Sequence, residues 1–132
     1  MKTISIEIDK PWGGEIILTS PNSPYTAKIL HIKAGHRFSL QYHDQKVETL
    51  TLVDGQAEIT LGPNPQQLTV SPMQKNQGYT ITTGTIHRIK AITDATVLET
   101  STGEKGNTIR LEDDYHRSDE SETDRQLARH SS

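Results

Sequence analysis

Four side chains of the 132-residue sequence have the types and spacing to grip one divalent ion: Gln41, His43, Glu48 and His87. They offer two imidazoles, a carboxylate and an amide oxygen. Gln41 and His43 stand two apart, so on a strand both project to one face. Nitrogen with hard oxygen suits zinc, manganese, iron, cobalt or nickel, and the residues leave that choice open. Burying a carboxylate and two imidazoles in a barrel without an ion would be costly. The sequence has no cysteine, which excludes thiolate ligands and disulfides. With an open coordination position, an ion held this way is suited to chemistry.

Other residues are candidates by position. Lys46 lies in a loop beside Glu48 and can reach the mouth of the site. Arg110 has the planar donors that suit phosphate or hydroxyl oxygens. Arg88 follows His87 on a strand and so faces the other way, which predicts a structural ion pair. Asp44 and Glu112 are candidate proton shuttles. Trp12 is placed to cap the barrel. Either Lys28 or His31 faces inward, and a one-residue slip in register exchanges them. His31, His36, His116 and His130 read as surface or loop histidines.

The elements that must position these residues follow a period of two. Ile4, Ile6 and Ile8 alternate with polar neighbours, and Lys10-Pro11-Trp12-Gly13-Gly14 breaks that run. Further strands are predicted over 15–19, 25–32, 37–43, 47–53, 56–61, 67–70, 79–82, 85–92 and 95–100. Asp54-Gly55 reads as a hairpin turn, and Thr93-Asp94 as another turn. Residues 71–77 read as irregular. Many short strands without helical periodicity predict an all-β sandwich or barrel, and closure is favoured because open edges are a liability. From Arg117 onward the composition turns to Ser, Asp, Glu, Arg and His, with Leu127 the only large apolar residue. Residues 1–117 are therefore expected to form one barrel and 118–132 a flexible polar tail.

Composition narrows the function classes. The hydrophobic fraction is 31% and the formal net charge is −3. No basic stripe favours nucleic acid. No apolar run approaches the roughly 18 residues needed to span a bilayer. The alternating N-terminus does not resemble a secretory signal, so a soluble cytoplasmic protein is expected.

The motifs resemble a known family. Gly35, five residues, Gln41-x-His43, four residues, Glu48, six residues and Gly55 match the first cupin motif, with Gln in place of its first His. Gly84-x-x-His87 matches the core of the second. Within cupins the chain is most similar to type II mannose-6-phosphate isomerases, which occur alone or as the C-terminal domain of bifunctional mannose-1-phosphate guanylyltransferases. Lys10-Pro11-Trp12-Gly13 resembles their Arg-Pro-Trp-Gly opening. Ser39-Leu40-Gln41-x-His43 resembles their Ser-Leu-Gln-x-His, and His87-Arg88 their His-Arg. Residues Ile109 to Arg117 resemble their closing Val-Arg-Phe-Glu-Asp-x-Tyr-Gly-Arg. Two stretches depart from the family: Asp44-Gln45-Lys46 replaces a His-rich run, and Thr49-Leu50 replaces His-Trp.

The resemblance implies a single-domain cupin, a double-stranded β-helix or jelly-roll barrel, pairing as a homodimer. It implies a metal at Gln41, His43, Glu48 and His87, zinc or manganese by family usage. It further implies an isomerase acting on a small-molecule sugar or sugar phosphate, such as the pair mannose 6-phosphate and fructose 6-phosphate. Lys46 and Arg110 are then the catalytic candidates. Two alternatives remain: a metal-dependent oxygenase, since two His and a carboxylate resemble the non-haem iron triad, and a non-catalytic metal- and sugar-binding module.

Overall fold

The computed structural model describes residues 1–130. Positions 131–132 of the expected tail, and the side chain of His130, lie outside the described residues. Eleven strands form two antiparallel sheets. In chain order, β1 (Ile6–Lys10), β2 (Gly13–Ile17), β3 (Tyr25–Ile32), β5 (Glu48–Asp54), β8 (Gly78–Ile81) and β10 (Ala95–Thr102) belong to the first sheet. Its order is β1-β2-β3-β10-β5-β8. The second contains β4 (Leu40–His43), β6 (Ala57–Gly62), β7 (Thr69–Pro72), β9 (Ile86–Ala91) and β11 (Thr108–Glu112), ordered β11-β4-β9-β6-β7. The expected all-β double-sheet architecture is what is seen.

Alternation explains the core. On β3, Leu30 and Ile32 point inward; on β5, Leu50 and Leu52; on β10, Ala95 and Val97. From the facing sheet, Ile59 and Ile89 meet them. Each such aliphatic side chain contributes about 1.5–3 kcal/mol on full burial. The same inward phase continues along these strands into charged residues. Lys28 precedes Leu30, Glu99 follows Val97, and Glu48 precedes Leu50, all of them buried. Register makes neighbours of them: Glu99 pairs with Lys28 on one side and Leu50 on the other. One end of the sandwich is therefore apolar and the other ionic.

Several expectations need correction. Asp54-Gly55 is not a hairpin between paired strands. It carries the chain from β5 in one sheet to β6 in the other, and Thr93-Asp94 does the same from β9 to β10. The two crossings pack together: Gln56 N donates to Thr93 Oγ1 at 2.9 Å and Ile92 N to Gln56 O at 2.8 Å. Gly55 has φ +85°, and a Cβ there would lie 2.1 Å from Asp94 O, so only glycine fits. The expected strand 37–43 begins only at Leu40, Arg37 forming an isolated bridge with Lys90. The strand expected over 67–70 runs from Thr69 to Pro72, because Asn64 bonds Gln66 and Gln67 and extends the turn. Pro72 is tolerated because β7 is an edge strand. β11, absent from the strands predicted by periodicity, pairs with β4.

Beyond residue 117 much of the chain surface is solvated, as composition predicts, yet it carries ordered elements. Glu120 bridges back to Thr108, and a helix, α1, spans Glu122–His130. Ser121 caps it: its Oγ accepts from Asp124 N at 3.0 Å while Asp124 Oδ2 accepts from Ser121 N at 3.2 Å. Arg125 and Arg129 turn inward and are buried. No helix among the described residues is long and apolar enough to cross a membrane.

Candidate metal centre

Three strands bring the ligand candidates together. β4 carries Gln41 and His43, β5 begins at Glu48, and β9 carries His87 directly across from Gln41. The turn before β9 docks on β4 through Gly84 N donating to His43 O at 2.9 Å, and Gly84 takes φ +82° to do so. His43, Glu48 and His87 are buried, and their ligand atoms lie within 4.8 Å of one another.

The imidazoles are aimed by hydrogen bonds at their far nitrogens. His87 Nδ1 donates to Thr85 O at 3.0 Å, which leaves Nε2 with a lone pair. His43 Nδ1 lies 3.1 Å from Thr108 Oγ1. The two Nε2 atoms converge on Glu48 Oε1, at 3.3 Å from His43 and 2.9 Å from His87. Despite that short approach, His87 Nε2 has no hydrogen-bond partner. A buried imidazole nitrogen set against a carboxylate oxygen without a well-formed hydrogen bond is an arrangement that a cation would satisfy.

The charge states suit ligation. Burial, then the nearby Lys46 cation, pushes the His43 imidazole below its ordinary value and so favours the neutral form. Burial alone would raise Glu48, but Lys46, His43 and His87 outweigh it and hold the carboxyl well below the usual range. Two imidazole nitrogens and an ionised carboxylate fit zinc or another borderline divalent ion. Gln41 is half-buried, lines the same cavity, and its Oε1 accepts from Ser39 Oγ at 2.6 Å.

Lys46 reaches the site as its position in the sequence predicts. Its Nζ lies 3.1 Å from Glu48 Oε2 and 3.3 Å from Glu99 Oε2. Burial opposes its charge, but these two carboxylates more than compensate and raise its pKa. Glu48 thus divides its oxygens, Oε1 to the imidazoles and Oε2 to Lys46. Arg110 also lines the cavity, with its backbone N bonded to Asp119 and its Nη1 to Ser118 O. Arg88 faces away and pairs with Glu112 at 2.9 Å, as strand alternation predicts. Trp12 is buried in the cavity wall, edge-on to Phe38 at 6.1 Å.

Two proton-shuttle candidates are not in the cavity lining. Asp44 is engaged with Asn107, accepting from its backbone N at 2.7 Å. Glu112 is spent on Arg88 and Arg37. Glu15 and Glu99, which no motif marks, take their place together with Lys28. Lys28 faces inward, resolving the register, and contacts Glu15 at 3.8 Å, Glu99 at 3.9 Å and Glu104 at 2.5 Å. His31 is the outward partner and is exposed. Glu15 is held down to about 2: burial alone would raise it, but Lys28, Lys10 and Arg129 outweigh that. The available signal was phase: Glu99 continues Ala95-Val97 and Lys28 leads into Leu30-Ile32, charged residues in step with a core-facing run.

Comparison with known proteins agrees with this fold. Residues 2–120 match the family described as mannose-6-phosphate isomerase C-terminal. No curated protein matches the sequence. Solved structures resemble it at low identity. The capsular polysaccharide assembling protein CapF from Staphylococcus aureus aligns with a TM-score of 0.72 and 15% identity, over 85% of this chain and 33% of CapF. A variant of the Bacillus subtilis oxalate decarboxylase OxdC gives a TM-score of 0.70 and 16% identity, over 81% of this chain and 30% of the enzyme. KdgF from Halomonas sp. gives a TM-score of 0.63 and 16% identity, over 75% of this chain and 88% of KdgF. This chain thus spans about a third of the length of CapF. At these identities the likeness speaks to the fold alone. With the matched family covering most of its length, the chain belongs to the mannose-6-phosphate isomerase C-terminal family, and its two-sheet barrel is a cupin.

Proposed function

We propose that this chain is a metal-dependent sugar-phosphate isomerase, interconverting an aldose and a ketose phosphate of the mannose 6-phosphate and fructose 6-phosphate kind. The observation that carries the reading is the pair of tethered imidazoles converging on Glu48 at the wall of a cavity rich in cations. Seven Lys and Arg side chains line that cavity against four Glu. Such an excess favours an anionic ligand. The family description supports the same substrate class.

In this reading His43, Glu48 and His87 hold the ion, and Gln41 supplies an amide oxygen from the same face. Zinc is the first choice, with manganese, iron, cobalt or nickel open. When bound, the ion supplies Lewis-acid polarisation of a sugar oxygen. The chain's own residues do the rest. Lys46, kept cationic between two carboxylates, stabilises negative charge developing on a substrate oxygen. Glu99, the other carboxylate on Lys46, is our choice for the group that moves a proton between adjacent carbons. Arg110 offers its planar donors to the phosphate. Trp12, Phe38 and Leu50 form the apolar wall that limits water. The assembly and setting we expect are a homodimer in the cytoplasm, the former checked by light scattering.

Metal-loaded protein is expected to interconvert the two sugar phosphates. Chelation should abolish conversion and metal should restore it. Folded, metal-loaded protein that converts none of a sugar-phosphate panel defeats the proposal. One observation favours a second reading, a sugar-binding module without turnover. The sequence departs from the family's pattern close to the ligand candidates, with Asp44-Gln45-Lys46 in place of a His-rich run and Thr49-Leu50 in place of His-Trp. Tight sugar-phosphate binding without conversion would identify that role.

A further inference from the structure

We propose that α1 delivers a second anion-holding guanidinium, Arg125, to the cavity, where with Arg110 it grips an oxyanion. The family match ends at residue 120, before α1 begins. Arg125 is 7% exposed and lines the same cavity as His43 and Glu48. Two of its nitrogens are engaged: Nη2 donates to Gly106 O at 2.9 Å and Nε to Glu120 Oε1 at 3.2 Å. Its Nη1 is buried and has no hydrogen-bond partner. Arg110 Nε, on β11, is in the same condition.

A guanidinium cannot shed its proton, so a buried N–H without an acceptor is destabilising until one arrives. Two such donors, from separate elements but one cavity, call for an acceptor with several oxygens and negative charge. Phosphate and carboxylate both qualify, and the planar fork of arginine matches either. That the anion is the phosphate of a sugar rests on the isomerase reading; the oxyanion site itself does not.

The test is a titration of the full chain with inorganic phosphate at constant ionic strength, with chloride as reference. The fluorescence of Trp12 reports it, since this is the only tryptophan and it lines the cavity. A saturable change specific to phosphate is expected. Arg125→Gln and Arg110→Gln should each weaken it roughly ten-fold or more, while the exposed Lys75→Gln leaves it unchanged. A phosphate response identical to chloride, or a folded Arg125→Gln protein of unchanged affinity, overturns the proposal. Should Arg125→Gln fail to fold, nitrogen-edited spectra of the wild type decide instead. The Arg125 side-chain resonances must then shift on adding phosphate, and unmoved resonances overturn the site. Acetate in place of phosphate separates the two anions; tighter acetate overturns the phosphate assignment. Phosphate binding through Arg125 without sugar-phosphate turnover supports this site and defeats the isomerase reading, so the two failures are distinguishable.

Discussion

The two ends of the barrel are made from the same strands and obey opposite rules. At one end Ile32, Val97 and Leu52 pack together with essentially no exposure. Two or four residues along the same inward faces, Lys28, Glu99 and Glu48 are buried as charges. The apolar end stabilises the fold by removing surface from water. The ionic end does not gain in the same way, because desolvating charges offsets most of their mutual attraction. This buried ionic layer is the part of the barrel that our functional proposal uses.

The contrast can be broken by substitution. Glu99→Gln removes a partner from both Lys46 and Lys28, and should destabilise by about 3 kcal/mol or more in denaturant unfolding. The same variant should lose turnover while retaining metal. Replacing the pair together, Lys28→Met with Glu99→Leu, should recover most of that stability yet remain inactive. A double variant that stays as unstable as the single one would contradict the view that this layer serves function. At the other end Leu52→Ala should cost about 2–5 kcal/mol by cavity formation, with metal content and turnover per folded molecule unchanged.

Acid should separate the two ends next. The folded-state pKa of Glu15 lies at about 2 against an ordinary 4.5. A depressed carboxyl contributes stability that is fully present above its unfolded value and lost as pH falls through the folded one. Glu15 should therefore account for on the order of 3 kcal/mol lost between pH 4.5 and 2. A Glu15→Gln variant, less stable at neutral pH, should show a flatter acid limb in urea midpoints over that window; an unchanged slope would contradict the assignment. The smallest effect expected is at Thr108. Thr108→Val removes the contact to His43 Nδ1 and should weaken metal affinity roughly 10- to 100-fold while the barrel stays folded.

The grouping of His43, Glu48 and His87 was legible in the sequence because spacing two on a strand and the Gly-bounded motifs fix local geometry. His43, Glu48 and His87 converge as those motifs imply. Period two also located most strands. The sheet crossings at Gly55 and Asp94 were not legible, since a tight turn has the same local chemistry whether the next strand pairs beside the last or leaves for the other sheet. α1 was hidden for a related reason. Its arginines look solvated in sequence, and the groups that engage them, Glu15, Glu104 and Gly106 O, lie on other segments. Lys28 was legible as one of two inward choices on its strand, whereas Glu99 was readable only by asking which charged residues share phase with the core.

The most direct test is the metal content of protein purified without added metal, compared with His87→Ala. About one tightly held divalent ion per chain is expected in the wild type, and its loss in the folded variant. A wild type that neither carries nor takes up an ion, or a His87→Ala protein that keeps it, would contradict the central claim.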